Sequence, residues 1–390
     1  MLRKIYMLIF SMLLIVSLTI TPYSFNSGFA NAKSIVLQVV GGNKNFVDVK
    51  ELKDKIQKSR GEKIKGIEQV DILFEDSLNN KFDAVALPIE FIMEHQFENI
   101  TNLINSGKIV YLYGDNLNLK KAEDVFGIKL VPNVDSSKVD QKNVGTKNRN
   151  VIGVVKNKET NEFELLEGNI LVEEGSIQPF MYIDMLLDNL YLEHLKKDSI
   201  FKKNLSYAAD TPVDSKRNVL TTKYVNSVKI ATLNGDYYLY QDLSETDSDV
   251  DYFGLDSSME LIAYNGATNE FLDIKHSLPF DSDNINYWGP KSSNDSSFTV
   301  SFPFGVSYSW DTSSSVSVET TGSTTDDWAD WYVGPRWYQN NLVSPALFRP
   351  GTAWTSTGTY AAIDIFTNGQ VYYNYAPRDI FQDMNYRYDY

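Results

Sequence analysis

The sequence predicts an α+β chain of several parts: an N-terminal parallel-sheet region, a mixed middle region and a C-terminal antiparallel β-sandwich. Three observations predict it. Short apolar runs alternate with helix patterns over residues 33–134, the mark of a parallel sheet covered on both faces. Beyond residue 216 the apolar period changes to two, as in half-buried strands. All six tryptophans then fall between Trp288 and Trp354. Aromatics suit strands and bury large areas.

The first 32 residues are read apart from the fold. Arg3 and Lys4 precede an apolar run from Ile5 to Ile20. Pro22 breaks any helix, and Ala30-Asn31-Ala32 has the small-residue pattern of a cleavage site. Charge, short apolar core and cleavage site in that order predict a secretory signal peptide. The run is shorter than the ~20 residues that span a bilayer. No wall-sorting pattern or apolar tail ends the chain, so the expectation is a secreted, extracellular protein of Gram-positive type. The chain has no cysteine. That excludes disulfides, thiol catalysis, thiolate metal sites and a lipid-modified cysteine.

The 390 residues carry a formal net charge of −15. Loss of Arg3 and Lys4 with the leader makes the charge two units more negative. Such a balance opposes nucleic acid, whose binding needs clustered Lys and Arg, and opposes anionic lipid. The length predicts two or three domains after the leader.

Within 33–134, strands are expected at Ser34–Val40, Val70–Phe74, Asp83–Leu87 and Lys108–Tyr113. Asp48 and Glu51 open a helix with Leu52 and Ile56 four apart, in the manner of a capping box. Helices are also expected near 98–104 and over 118–126, the second ending at Gly127. In this pattern the segment resembles the flavodoxin-like and amidotransferase-like α/β folds over about 100 residues. No catalytic motif carries over, and the amidotransferase-type cysteine nucleophile is absent.

Residues 135–150 read as a polar linker or loop. The 151–289 region is mixed. Strands are expected at 151–156 and 163–172, and a strong helix over Pro179–Lys197 with Phe180, Ile183, Leu187, Leu190, Tyr191 and Leu195 on one face. Three Asn-Gly pairs, Asn234-Gly235, Asn265-Gly266 and Asn368-Gly369, predict type I′ hairpin turns. Residues 290–390 form the aromatic-rich antiparallel domain, with 298–310 alternating apolar and hydroxyl residues.

Catalytic signals are weak. The three histidines, His95, His194 and His276, share no ligand spacing, and no nucleophile-elbow motif accompanies them. Gly41-Gly42 and Gly114-Asp115-Asn116 each follow a strand, where α/β folds place ligand crevices. Asp247, Asp249 and Asp251 alternate in an acidic run, spacing that suits a calcium ion. Rings stand beside carboxylates over 326–338, which nominates Trp328, Asp330, Trp331 and Trp337 as ligand-binding residues. Core packing is the competing reading of those rings.

The expected function is a non-catalytic binding protein. Its C-terminal β domain would contact a glycan, a cell-wall polymer or an extracellular protein, with no cofactor other than calcium. One alternative is a β-pore-forming or membrane-active toxin component, because alternating apolar and Ser/Thr residues over 298–325 suit a membrane barrel strand. A weaker alternative is a glycoside hydrolase using two carboxylates.

Overall fold

A computed structural model describes residues 35–41, 48–61, 70–75, 81–94, 100–130, 147–157, 163–195, 213–242, 249–291, 297–301, 307–311 and 316–389. Residues 1–34, most of the 135–150 segment and Asp247 lie outside the described residues.

The N-terminal strands are β1 (Ile35–Val40), β2 (Val70–Glu75), β3 (Ala84–Pro88) and β4 (Ile109–Leu117). They pair in parallel in the order β2-β1-β3-β4. Helix α1 (Val49–Arg60) begins where the Asp48 carboxylate accepts from the Glu51 N–H at 2.7 Å and ends at Gly61, in the left-handed conformation at φ 73°. Short helices α2 (Ile89–Glu94) and α3 (Ile100–Asn105) separate β3 from β4. Helix α4 (Leu119–Phe126) is capped by Asn118 and closed by Gly127 at φ 65°.

The parallel run then stops. Strand β5 (Arg149–Lys156) is antiparallel to β4, and β6 (Phe163–Glu173) is antiparallel to β5. This departs from the flavodoxin-like expectation, in which a further parallel strand would follow. Helix α5 (Pro179–Leu190), continued by a π turn over Tyr191–Leu195, crosses from β6 to the parallel strand β7 (Asp214–Val225). Strands β8 (Val228–Gln241) and β9 (Asp251–Ala263) follow as a meander. Strands β16 (Ala346–Phe348), β17 (Gly351–Ser356) and β11 (Asp283–Gly289) complete the far side of one 12-stranded mixed sheet.

That sheet is covered differently along its length. Over β1–β7, alternate residues face two helical layers. Leu37, Val39, Ala84, Ala86 and Tyr111 pack with α1 and α5, whereas Val85, Leu87, Val110 and Leu112 pack with α2, α3 and α4. Over β7–β9 and β17, the cover is a second, antiparallel sheet. Its order is β14-β15-β10-β18-β19, from β14 (Val316–Ser323), β15 (Trp328–Pro335), β10 (Thr268–Ser277), β18 (Tyr360–Tyr373) and β19 (Ala376–Asp389). Leu233, Tyr237, Phe253 and Leu261 of the large sheet meet Ile274, Trp331, Ile365 and Met384 of the small one. The sandwich is therefore not internal to 290–390. Its central strand β10 comes from the middle region, and β16 and β17 leave the C-terminal segment to join the large sheet.

Two of the three Asn-Gly pairs are not turns. Asn234-Gly235 lies within β8 and Asn368-Gly369 within β18. Both glycines sit where the sheets approach closely. A Cβ at Gly235 would stand 2.6 Å from Gln382 Oε1, and one at Gly369 3.1 Å from Leu261. Asn265-Gly266 does turn, with φ of 53° and 74°, but it carries the chain from one sheet to the other and joins no hairpin. The turns that close β7–β8 and β18–β19 use Asn226 and Asn374-Tyr375, also at positive φ.

Candidate binding face

The strand pleat sends alternate residues of the small sheet to opposite faces. Leu272, Ile274 and His276 of β10, and Ala329, Trp331 and Val333 of β15, point into the sandwich and are buried. The residues between them form the outer face. Register sets them in rows: Glu319, Tyr332, Asp273 and Asn368 stand side by side across four strands, followed by Thr321, Asp330, Lys275 and Phe366.

This face is rich in accessible rings. Tyr332, Phe366, Tyr372 and Phe381 are each 41–47 % exposed. Tyr332 leans on Phe271 with ring centroids 5.3 Å apart, and Phe366 stacks on Phe381 at 5.9 Å and 26°. The Lys275 ammonium lies 5.3 Å from the Trp328 ring centre. Between these rings, Asp273 and Asp330 are diagonal neighbours on β10 and β15. Partial burial and the adjacent Asp330 carboxyl, through hydrogen bonding and charge, push the Asp273 carboxyl up to about 7, against the pull of Lys275. A flat set of rings with polar groups between them has the chemistry needed to stack on the apolar faces of a ligand and to bond hydroxyls.

The four nominated residues separate. Trp328 and Asp330 lie on this outer face. Trp331 does not: it is fully buried, its Nε1 donates to the Pro290 carbonyl at 3.0 Å, and its ring meets His276 edge-on at 4.9 Å. Burial removes it from any surface set, and core packing explains it. Trp337 follows β15 in a loop, 95 % exposed, with its ring set edge-on to Tyr338 at 5.5 Å. Phe271, Asp273, Phe366 and Phe381 were missed. The alternation of β10 and β18 held the signal, hidden by reading Asn368-Gly369 as a turn.

His276 is a core residue. Its Nδ1 is 2.8 Å from Thr352 Oγ1 and its Nε2 3.3 Å from Ser257 Oγ, whose hydroxyl donates to the Pro350 carbonyl at 2.8 Å. Burial pushes its imidazole down to about 3, so it is neutral at physiological pH.

Side chains of α2 stand against the two glycines at which the crevice is expected, Gly41 and Gly114. The Phe91 ring of α2 lies 3.2 Å from where a Gly41 Cβ would stand, and Ile89 lies 2.7 Å from that of Gly114. Asp115 accepts from the Tyr182 hydroxyl at 2.6 Å. Of the three acids nominated for calcium, Asp249 and Asp251 are described and Asp247 is not. Among the described residues, no three acidic, histidine or cysteine side chains are grouped to hold a metal. Among the same residues, no helix is long and apolar enough to cross a membrane.

No family model and no curated protein matches this chain. Solved structures match in part. Clostridium perfringens delta-toxin is 12 % identical at a TM-score of 0.24, covering 40 % of this chain and 89 % of its own. A structure titled pore forming protein is 11 % identical at 0.23, covering 40 % and 84 %. The cohesin module of a Clostridium perfringens family 33 glycoside hydrolase is 9 % identical at 0.22, covering 40 % and 95 %. Scores this low carry no argument about function.

Proposed function

We propose that this is a secreted, non-catalytic binding protein whose small sheet presents its outer face to a glycan of the cell wall or another surface. The observation that carries the reading is the set of half-exposed rings Tyr332, Phe366, Tyr372 and Phe381 around the Asp273–Asp330 pair. Sheet faces turned to solvent are ordinarily polar. Contiguous exposed rings on such a face mark an interaction site. Stacked rings supply area at low entropic cost, and Lys275, Asp273 and Glu319 offer both donors and acceptors to sugar hydroxyls.

The test is co-sedimentation of the chain from Lys33 onward with insoluble wall polysaccharide, beside the double variant F366A/F381A. Both phenylalanines are nearly half exposed, so the variant is expected to fold. Pelleting of the parent and release of the variant support the reading; a parent that stays in solution defeats it.

A second reading is favoured by one backbone feature. Among the described residues, strands β12 (Ser297–Ser301) and β13 (Ser307–Asp311) pair with each other and with neither large sheet. The register sets Phe298 opposite Trp310 and Thr299 opposite Ser309. A separate hairpin of alternating character suits insertion in a membrane barrel. Dye release from vesicles by the parent, abolished by deleting 297–311, is the outcome that reading requires.

A further inference from the structure

The most exposed large hydrophobic side chains among the described residues gather at one end of the small sheet. Trp337 is 95 % and Tyr375 94 % exposed, and Tyr338 and Val343 are each 57 %. The register places them together. Pro335 at the end of β15 stands opposite Val316. The loop that follows returns to β10, where Leu342 N–H donates to Asn269 O at 2.8 Å. Asn269 is paired in turn with Val371, four residues before Tyr375 at the β18–β19 turn. The Trp337 loop and the Tyr375 turn therefore leave the same edge.

The loop is fastened. Asn269 is fully buried, and its side-chain amide donates to Leu261 O at 3.0 Å and Val343 O at 3.3 Å. Ser344 Oγ accepts from Ala263 N–H at 3.1 Å. Arg336 O and Gln339 N–H close a turn beneath the two rings at 2.7 Å. Holding the tip in place beforehand lowers the entropy lost on contact.

Charge singles out this end as well. The chain carries 51 acidic residues, yet residues 336–345 hold none and neither do residues 372–378. Arg336 stands there instead, and Arg378 at this end is ion-paired with Glu173 of β6. Trp and Tyr settle at the headgroup level of a bilayer, where one part of the ring is apolar and the other wet. An aromatic tip whose two loops carry Arg336 and no acid of their own matches a layer of lipid phosphates. The negative charge of the rest of the chain disfavours an anionic membrane, which leaves a zwitterionic one.

We infer that the Trp337 loop and the Tyr375 turn form a docking tip for the surface of a zwitterionic phospholipid bilayer. The contact requires neither the glycan face nor insertion of β12 and β13. Neither Trp337 nor Tyr375 supports the core, so W337A/Y375A retains the fold.

The experiment is sedimentation of the chain from Lys33 onward with phosphatidylcholine vesicles, using the parent, W337A/Y375A and F366A/F381A. The expected result is pelleting of the parent and of F366A/F381A, and loss of pelleting for W337A/Y375A. A second measurement uses vesicles whose acyl chains are brominated. Tryptophan emission of the parent is quenched, and W337F loses that quenching. The inference is overturned if the parent stays in the supernatant, if W337A/Y375A pellets as the parent does, or if W337F is quenched equally. Failure of F366A/F381A to bind wall polysaccharide bears on the glycan reading alone.

Discussion

Asp273 and Asp330 are diagonal neighbours across β10 and β15, and burial together with the neighbouring Asp330 carboxyl pushes the Asp273 pKa up to about 7. For Asp273 the folded pKa lies above the unfolded value, so the folded protein binds the proton more tightly. Linkage then makes the pair destabilising as pH rises through that window. D273N puts an amide, neutral at every pH, in place of the titrating carboxyl. D273N is therefore expected to unfold at a higher temperature than the parent at pH 8 and to match it near pH 4. Thermal unfolding at the two pH values measures this, and an equal difference at both would refute the raised Asp273 pKa.

His276 gives a dependence of the opposite sign. Its folded pKa, pushed down to about 3 by burial, lies below the ordinary 6.5. The unfolded chain takes a proton that the folded protein refuses, so stability is complete above 6.5 and falls as pH drops. Each pH unit below 6.5 costs about 1.4 kcal/mol from this group. Between pH 7 and 5 Asp273 contributes equally to parent and variant, and H276Q keeps partners for Ser257 and Thr352 without a titrating ring, so the difference between the two isolates the histidine. Urea unfolding of H276Q across that range is expected to lose this slope.

A buried ion cluster joins the helical layer to the large sheet. The Arg60 guanidinium bonds the Asp184 carboxylate and carbonyl and lies 2.7 Å from Asp188. Lys229 reaches Asp188 and stands 3.6 Å from Asp184, which also accepts from the Tyr224 hydroxyl. Burial disfavours charge on Asp188, but Arg60 and Lys229 outweigh it and hold its pKa below the usual range. Two cations and two anions balance. D184A leaves Arg60 and Lys229 with one carboxylate between them, and breaking such a cluster costs about 3–5 kcal/mol. Denaturant unfolding of D184A reads that loss.

Much of the N-terminal architecture was legible in the sequence, because local signals there agree with tertiary packing. The Asp48 and Asn118 caps and the Gly61 and Gly127 stops bound α1 and α4, and the four parallel strands fall where the apolar runs place them. The rest failed for physical reasons. Gly235 reads as a turn residue, but its missing Cβ makes room for Tyr237 and Gln382 between the sheets. A glycine serving close approach and one serving a turn look alike in sequence. Asp184 likewise sits on a helix so apolar that nothing marks it as the anchor for Arg60, 124 residues away. The outer face was legible at Trp328 and Asp330 and hidden elsewhere, because strand register is not written locally.

Neighbours on one strand with opposite roles give the sharpest test of that register. Trp331 is fully buried among Ile274, His276 and Val333, whereas Tyr332 is 43 % exposed on the outer face. Truncating a buried tryptophan costs about 3–5 kcal/mol in transfer and cavity terms, and W331A also strips the Pro290 carbonyl of its indole donor. Y332A removes only a half-exposed ring stacked on Phe271. W331A is therefore expected to lower the denaturant midpoint strongly, with any binding defect tracking the unfolded fraction. Y332A is expected to leave the midpoint nearly unchanged while weakening retention on wall polysaccharide. The reverse pattern would mean that β15 is paired one residue out of step, since such a slip exchanges the two faces.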